Sequence, residues 1–523
     1  MREIKYLLIS SFFFVLLFAC NNDSDEREEP EIDFLEIKIK PNTVYQTIHA
    51  FGASDAWITQ YVGKNWPLQK RDQIADLLFS KEFNTNGNPK GIGLNNWRFN
   101  IGAGSFYQGG NSGISDIWRR AESFMYNGIY NWEAQEGQRW FLNAAKLRGV
   151  NHFTAFSNSP PVDLTKNGKA HSSGGAAANL SIENYGKYAD FLVEVVKQMK
   201  NNYGIEFDNI SPFNEPQWDW KGGQEGTPWL NDEIANVSKV LDAKLQEQNL
   251  NTKIEIAESG KLNYLYENAD KTGRASQIQE FFDSSSANYI GDLASMNHKI
   301  AGHSYYTTHG TATLIDVRRK VLSEIRNVDP SLEFLMTEYC ILENNSEING
   351  NGRDLGIDAA LYLARVIHAD LTVANASSWS WWLAVSPYDY KDGLVYIDND
   401  KNDGQVYDSK LLWAFGNYSR FIDEGYQRVD LSRSDNQSVD QSINGLLVSA
   451  YKSPVGSKIV VVFVNQRNIG IPIKIGIDGK QTYTGKRYQT SAVKGDNLAV
   501  KEILSEDSVW TIPSRSLVTI VLE

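Results

Sequence analysis

The stretch SIENYGKYADFLVEVVKQMKNNYG (residues 181–204), closely followed by NISPFNE (209–215), sets the pattern of most of the chain. In the first segment Tyr185, Tyr188, Leu192, Val196 and Met199 fall near one helical stripe, with Ser181 placed to cap its start and Gly204 to stop it. The second is a short apolar run of strand length. Outward from this pair the same alternation recurs. Seven further strand candidates are IHAFGAS (48–54), NWRFNIG (96–102), HFTAFSN (152–158), KIEIAES (253–259), IAGHSYY (300–306), EFLMTEY (333–339) and ASSWSWW (376–382). Helical segments such as WLNDEIANVSKVLDAKLQEQ (229–248) and DLGIDAALYLARVIHADL (354–371) lie between them. Eight strand–helix pairs predict an α/β fold, a (β/α)8 TIM barrel over residues 48–423. A doubly wound open sheet is the alternative, but no GxGxxG or GxxxxGK[ST] follows any strand, which weakens nucleotide-binding readings.

Beyond about residue 424 the texture changes to alternating strands, INGLLVSAYKSP, SKIVVVFVNQR, IPIKIGID, YTGKRYQTS and SLVTIVLE, which predict an appended all-β sandwich over 424–523. FLEIKIKPNTVYQTI has the same alternation, so residues 33–47 are expected to join that module from the N-terminal side.

The 523 residues are 41% hydrophobic and 22% charged, a globular composition, with 14 Trp to fill a core or line a groove. A net charge of −13 disfavours nucleic acid, whose phosphates need a Lys/Arg surface, and a strongly anionic substrate. At the start, Arg2 and Lys5 precede YLLISSFFFVLLFA and Cys20, which reads as a secretory signal. LFAC resembles the lipoprotein signal, so residues 1–20 are expected to be removed up to a lipidated Cys20; an ordinary cleaved signal or an uncleaved anchor are the alternatives. Residues 21–32, acidic and without apolar periodicity, read as a disordered tether. The expectation is an exported bacterial lipoprotein held to the outer membrane, at the cell surface or periplasmic face, and monomeric. Cys340 is the only other cysteine, which leaves no internal disulfide and no cysteine cluster for a metal.

In a TIM barrel chemistry sits where strands end, at the C-terminal rim. Glu215 closes the fourth predicted strand and Glu338 the seventh, each after an apolar run expected to line a dry core. A buried carboxylate is costly unless paired or functional. Two carboxylates facing each other across a groove are what glycoside hydrolysis requires, a separation of about 5–5.5 Å predicting retention and about 6.5–9.5 Å inversion.

With AFGAS (50–54), FSNSPP (156–161), the SPFNEP around Asn214 and Glu215, FLMTEY around Glu338 and GNYSRFI (416–422), the chain resembles glycoside hydrolase family 30, of the clan of retaining TIM-barrel glycosidases. The resemblance covers nearly all of the chain beyond its signal. It implies that Glu215 is the acid/base and Glu338 the nucleophile of a double displacement, with a bell-shaped pH profile. It further implies that Asn214 binds the sugar 2-OH, that Arg98, ending the second strand, holds Glu338 ionised, and that His303 and Tyr305 touch the nucleophile or the sugar. Glu258, a third rim carboxylate, is expected to support the acid/base or bind a hydroxyl. Trp57, Asn158, Trp218, Trp220 and Trp379 stand at or near rim loops where an indole can stack on a sugar; Trp218 and Trp220 alternate, so one is expected to face the groove while the other packs.

The loop QWDWKGGQEGTPW (217–229) looks most like the endo-β-1,6-galactanase branch, which implies a polysaccharide substrate in arabinogalactan side chains. Other branches imply β-1,6-glucan, glucuronoxylan or small β-glycosides. A non-catalytic surface glycan-binding lipoprotein is the reading of another class, disfavoured because a binding module has no use for paired carboxylates. A metal-dependent hydrolase is disfavoured because the seven His form no HxH at a strand end and no HExxH; no metal or other cofactor is expected.

Overall fold

The computed structural model describes residues 34–479, 483–505 and 508–523. Cys20, the signal segment 1–20 and the tether 21–32 lie outside the described residues. Eight parallel strands run in chain order around a closed ring: β1 (Ala50–Ser54), β2 (Asn96–Asn100), β3 (His152–Phe156), β4 (Asn209–Ser211), β5 (Lys253–Ser259), β6 (Met296–His303), β7 (Glu333–Glu338) and β8 (Ala376–Ser386). Pairing of β8 with both β7 and β1 closes the barrel. The long stripe of 181–204 opens as a 3-10 turn, Ile182–Asn184, and continues as an α-helix over Tyr185–Tyr203; Ser181 makes no side-chain cap, while Gly204 stops the helix with φ 62°. The other two predicted helices occupy Asn231–Glu247 and Ile357–Thr372.

The barrel interior departs from the dry core expected of it. On β2, Trp97 and Phe99 point out to the helix layer, where Trp97 meets Phe79 and Phe141. Asn96 and Arg98 point in, because successive side chains of a strand face opposite ways. Together with Thr154, Glu255, Thr337, Ser378 and Ser380 they line a polar cavity of about 440 Å³ that rises from the barrel floor. Arg98 therefore lies inside the barrel at mid-strand, paired in register with Ser54 and Thr154, and does not end β2.

The β-rich module is a single hydrogen-bonded succession of nine strands in the order 499–505, 484–491, 516–522, 459–465, 446–452, 427–433, 35–47, 471–477, 510–512. It folds over on itself, so that Trp510 at one edge meets Phe463 in the middle, edge to face. Strands 427–433, 499–505 and 510–512 were not foreseen from the sequence pattern. The strand Leu35–Thr47 joins as expected, antiparallel to Gln427–Arg433 and parallel to Ile471–Ile477. Alternation gives the module two buried faces: Val461, Phe463, Val518 and Ile520 fill its own core, while Val460, Val462, Val464 and Leu517 join the core of the barrel. The helix Lys410–Ser419 seals the junction, Asn417 bonding Thr490 and Thr519.

Candidate active site

Two irregular strands aim carboxylates into the barrel mouth. On β7, Met336 pairs with Gly302 but Glu338 with His303, so one extra residue bulges at Thr337. Thr337 and Glu338 therefore both reach the interior, where strict alternation would allow only one. On β5, Ile256 pairs with Ile300 and Ser259 with Gly302, another extra residue, and Glu258 has φ 53°. Strand β4 ends at Ser211, before Pro212, so Asn214 and Glu215 stand on the turn beyond it and do not close it as the sequence suggested. Glu215 has φ 44°, a left-handed backbone costly for a residue with a Cβ. It is pinned there by its N–H, which donates to the Glu258 carbonyl at 2.9 Å.

These carboxylates form one buried network. Arg98 Nη1 donates to Glu338 Oε2 at 2.6 Å, and its Nη2 lies 3.1 Å from Glu258 Oε1 and 3.5 Å from Asn214 Oδ1. Its guanidinium lies 4.0 Å from the centre of the Phe156 ring. Tyr305 Oη donates to Glu338 Oε1 at 3.2 Å. His303 bridges two carboxylates, Nδ1 to Glu215 Oε1 at 3.0 Å and Nε2 to Glu258 Oε2 at 2.9 Å, and Thr337 Oγ1 donates to Glu258 Oε2 at 2.5 Å. One oxygen of Glu215, one of Glu338 and a ring nitrogen of His303 all lie within 4.8 Å of one another.

The protonation states follow from burial and charge. Desolvation raises the Glu215 carboxyl above its usual range, against the hydrogen bond and charge of His303. Burial would also raise Glu258, but Arg98 and His303 outweigh it and hold the group at about 2. Burial would lower His303, but Glu338, Glu215 and Glu258 push it up to about 10. The imidazolium then donates from both nitrogens.

Above the network opens a pocket of about 280 Å³, walled by Trp218, Trp220, Tyr305, Tyr306 and Trp382 and carrying Asn214, Glu215, Gln224, Glu338, Leu342 and Glu343. Trp218 and Trp220 both face it, correcting the expectation that one would pack away; Trp220 Nε1 donates to the Glu215 carbonyl at 3.1 Å. Trp218 is held by edge contacts with Tyr264 and Tyr306 and by Lys261, whose Nζ lies 5.4 Å from its ring centre.

Three predicted residues lie elsewhere. Trp379 is fully buried on the outer face of β8 among Tyr339, Trp381 and Phe415, its Nε1 donating to Asp370 at 2.9 Å, so it cannot stack on a sugar. Trp57 is buried edge to face against Trp382 and does not line the pocket. Asn158 is buried too, donating to Asn100 Oδ1 at 2.9 Å. The tryptophan that does reach the pocket is Trp382. Ser378 and Ser380 point inward, and Trp382 has their parity in ASSWSWW; Trp379 and Trp381 have the opposite one. Gln224, Tyr306, Leu342 and Glu343 were also missed: Gln224, Leu342 and Glu343 are loop residues with no periodic signal, and Tyr306, last in the predicted strand IAGHSYY, lies beyond the end of β6 at His303.

The comparisons with known proteins agree with this geometry. Residues 34–396 match the model of O-glycosyl hydrolase family 30. The chain is 26% identical over 382 residues to an endo-beta-1,6-galactanase of Hypocrea rufa, covering 70% of each protein. It is 24% identical over 373 residues to the glucuronoxylanase XynC of Bacillus subtilis, covering 70% of this chain and 72% of that one. The crystal structure of a conserved exported protein from Bacteroides fragilis superposes with a TM-score of 0.86 at 33% identity, over 93% of this chain and 99% of that one. A closed (β/α)8 barrel with an appended β module, a mouth holding Glu215 and Glu338 face to face, and a family match over most of the length together place this chain in glycoside hydrolase family 30.

Proposed function

We propose that this glycoside hydrolase cleaves a β-linked polysaccharide with retention of configuration, and that its substrate is β-1,6-linked galactan. The observation that carries the mechanism is the approach of Glu215 and Glu338 oxygens to within 4.8 Å, which fits the short carboxylate separation of retaining enzymes. In the first step a Glu338 oxygen attacks the anomeric carbon while the glycosidic C–O bond breaks and the Glu215 proton passes to the leaving oxygen. In the second, Glu215 takes a proton from water, the water oxygen bonds to the anomeric carbon, and the ester bond to Glu338 breaks. Burial keeps the proton on Glu215 for the first step, and the His303 imidazolium stabilises the carboxylate left for the second. Arg98 and Tyr305 orient Glu338, one on each oxygen, and Asn214 is placed to hydrogen-bond a sugar hydroxyl.

The choice of galactan is supported by the Hypocrea rufa relative and by a pocket lining that, among the described residues, holds no Lys or Arg for an acidic substituent. Digestion of β-1,6-galactan, β-1,6-glucan and glucuronoxylan, followed by NMR of the first product, tests both parts. Galactan is expected to be cut fastest and the β-anomer to appear first; an α-anomer first would overturn double displacement, and faster xylan or glucan cleavage would overturn the substrate. If Glu338→Gln hydrolysed the best substrate within a few fold of the parent, the nucleophile would be another residue.

A further inference from the structure

Behind the pocket, facing away from it, lies a second buried ion pair. Arg318 Nε donates to Asp370 Oδ1 at 2.7 Å, and both side chains are wholly buried. Asp370 joins from the helix Ile357–Thr372 and Arg318 from the helix Thr311–Val328. Every polar atom of the pair is in use. The Ser304 hydroxyl donates to Asp370, 3.1 and 3.2 Å from its two oxygens, and accepts from Arg318 Nη2 at 3.0 Å. Arg318 Nη1 donates to the carbonyls of Thr307 and Leu314, and Trp379 Nε1 completes the shell of Asp370.

Ser304 stands between His303 and Tyr305, and chain alternation turns its side chain to the helices while theirs turn to the carboxylates. A dry ion pair is seldom retained for net stability, since its desolvation roughly offsets its attraction, but a fully bonded one fixes geometry. We propose that Arg318 and Asp370 are positioning residues for the reaction: through Ser304 they set His303 against Glu215 and Tyr305 against Glu338. The inference rests on the roles proposed above for those two carboxylates. It also gives Trp379 a function that its sequence position did not suggest, as the fourth member of this clamp.

The test compares Asp370→Asn, Ser304→Ala and Ser304→Thr in the full protein, with kcat, KM, the pH profile and Tm measured on the best polysaccharide and active sites counted by covalent trapping. A displaced pair of side chains is expected to lower kcat of Asp370→Asn and Ser304→Ala by about 10- to 100-fold with KM within about twofold. Loosening His303 removes a donor from Glu215, so the alkaline limb of kcat is expected to move to higher pH, and Ser304→Thr to recover most of the rate. Ser304→Ala decides the matter should Asp370→Asn not fold. A kcat within twofold of the parent and an unmoved alkaline limb, whatever happens to Tm, would overturn the clamp. If Glu338→Gln is inactive in the same assays, that result leaves the double displacement standing; if Glu338→Gln is active, it is the assignment of the carboxylates that fails.

Discussion

Glu215 carries a raised proton affinity because it is buried, and His303 opposes that rise. In the proposed mechanism the acid form of Glu215 is needed for leaving-group departure, so activity is expected to be lost as pH rises through its folded value, which lies above the ordinary range of about 4.3. Glu215→Gln is expected to cost about 10²- to 10⁴-fold in kcat on unactivated polysaccharide and to erase the alkaline limb, read from kcat against pH. His303→Gln removes the group that lowers Glu215, so its limb should shift upward. Stability has a separate pH dependence. Glu258 is held at about 2, and its contribution is present above the unfolded value and lost as pH falls through the folded one. His303, raised to about 10, contributes fully below about 6.5 and loses that contribution as pH rises through 10. Glu258 and His303 together should therefore stabilise most between about pH 4.5 and 6.5. Glu258→Gln, which strips Arg98 and His303 of a buried partner, is expected to cost about 3–5 kcal/mol in that window and less at pH 3, measured by urea unfolding.

At the scale of elements, two helices approach unusually closely. Ile58–Asn65 and Glu136–Leu147 cross at Gly63 and Gly137, where a Cβ on Gly137 would lie 1.9 Å from the Gln60 carbonyl and one on Gly63 2.1 Å from the Gly137 carbonyl. Neither backbone can yield cheaply, so Gly137→Ala is expected to destabilise by at least about 1–3 kcal/mol, seen as a lowered Tm with unchanged KM. The barrel strands were readable as elements because each is a short apolar run between helical segments, and KIEIAES matches β5 over its whole length. Their ends were less readable. The bulges that turn Glu258 and Glu338 inward belong to pairings with β6, and a pairing irregularity has no signature in either strand alone. In β8 the opposite holds: the alternation of Ser and Trp carried the answer, and parity read from Ser378 and Ser380 selects Trp382 over Trp379.

Over the whole molecule, the chain from Phe34 to Glu523 forms one unit in which the barrel and the β module share a core. The strand Leu35–Thr47 holds that module together from within, since it separates two strands that have no other link at that point. Its removal would unpair both neighbours and strip away Ile37 and Ile39, each wholly buried. Deleting residues 34–47 is expected to cost at least about 3–6 kcal/mol from those two side chains alone, measured as the shift of the urea midpoint or, past that, as loss of soluble protein. Activity should fall with the folded fraction, because the module touches the barrel core and not the pocket.

Periodicity and composition by themselves determined the eight-stranded barrel, the β module with its N-terminal strand and the two carboxylates at the mouth. These follow from local patterns of apolar residues and from the cost of placing a charge at the end of an apolar run. Only the tertiary structure decided which side chains meet: the bridging of Glu215 and Glu258 by His303, the double engagement of Arg98, the polar barrel interior, the pairing of both loop tryptophans on one pocket and the clamp behind Ser304. Each joins residues from different strands or helices far apart in the chain, so its energy depends on register, bulges and burial that exist only once the barrel has closed.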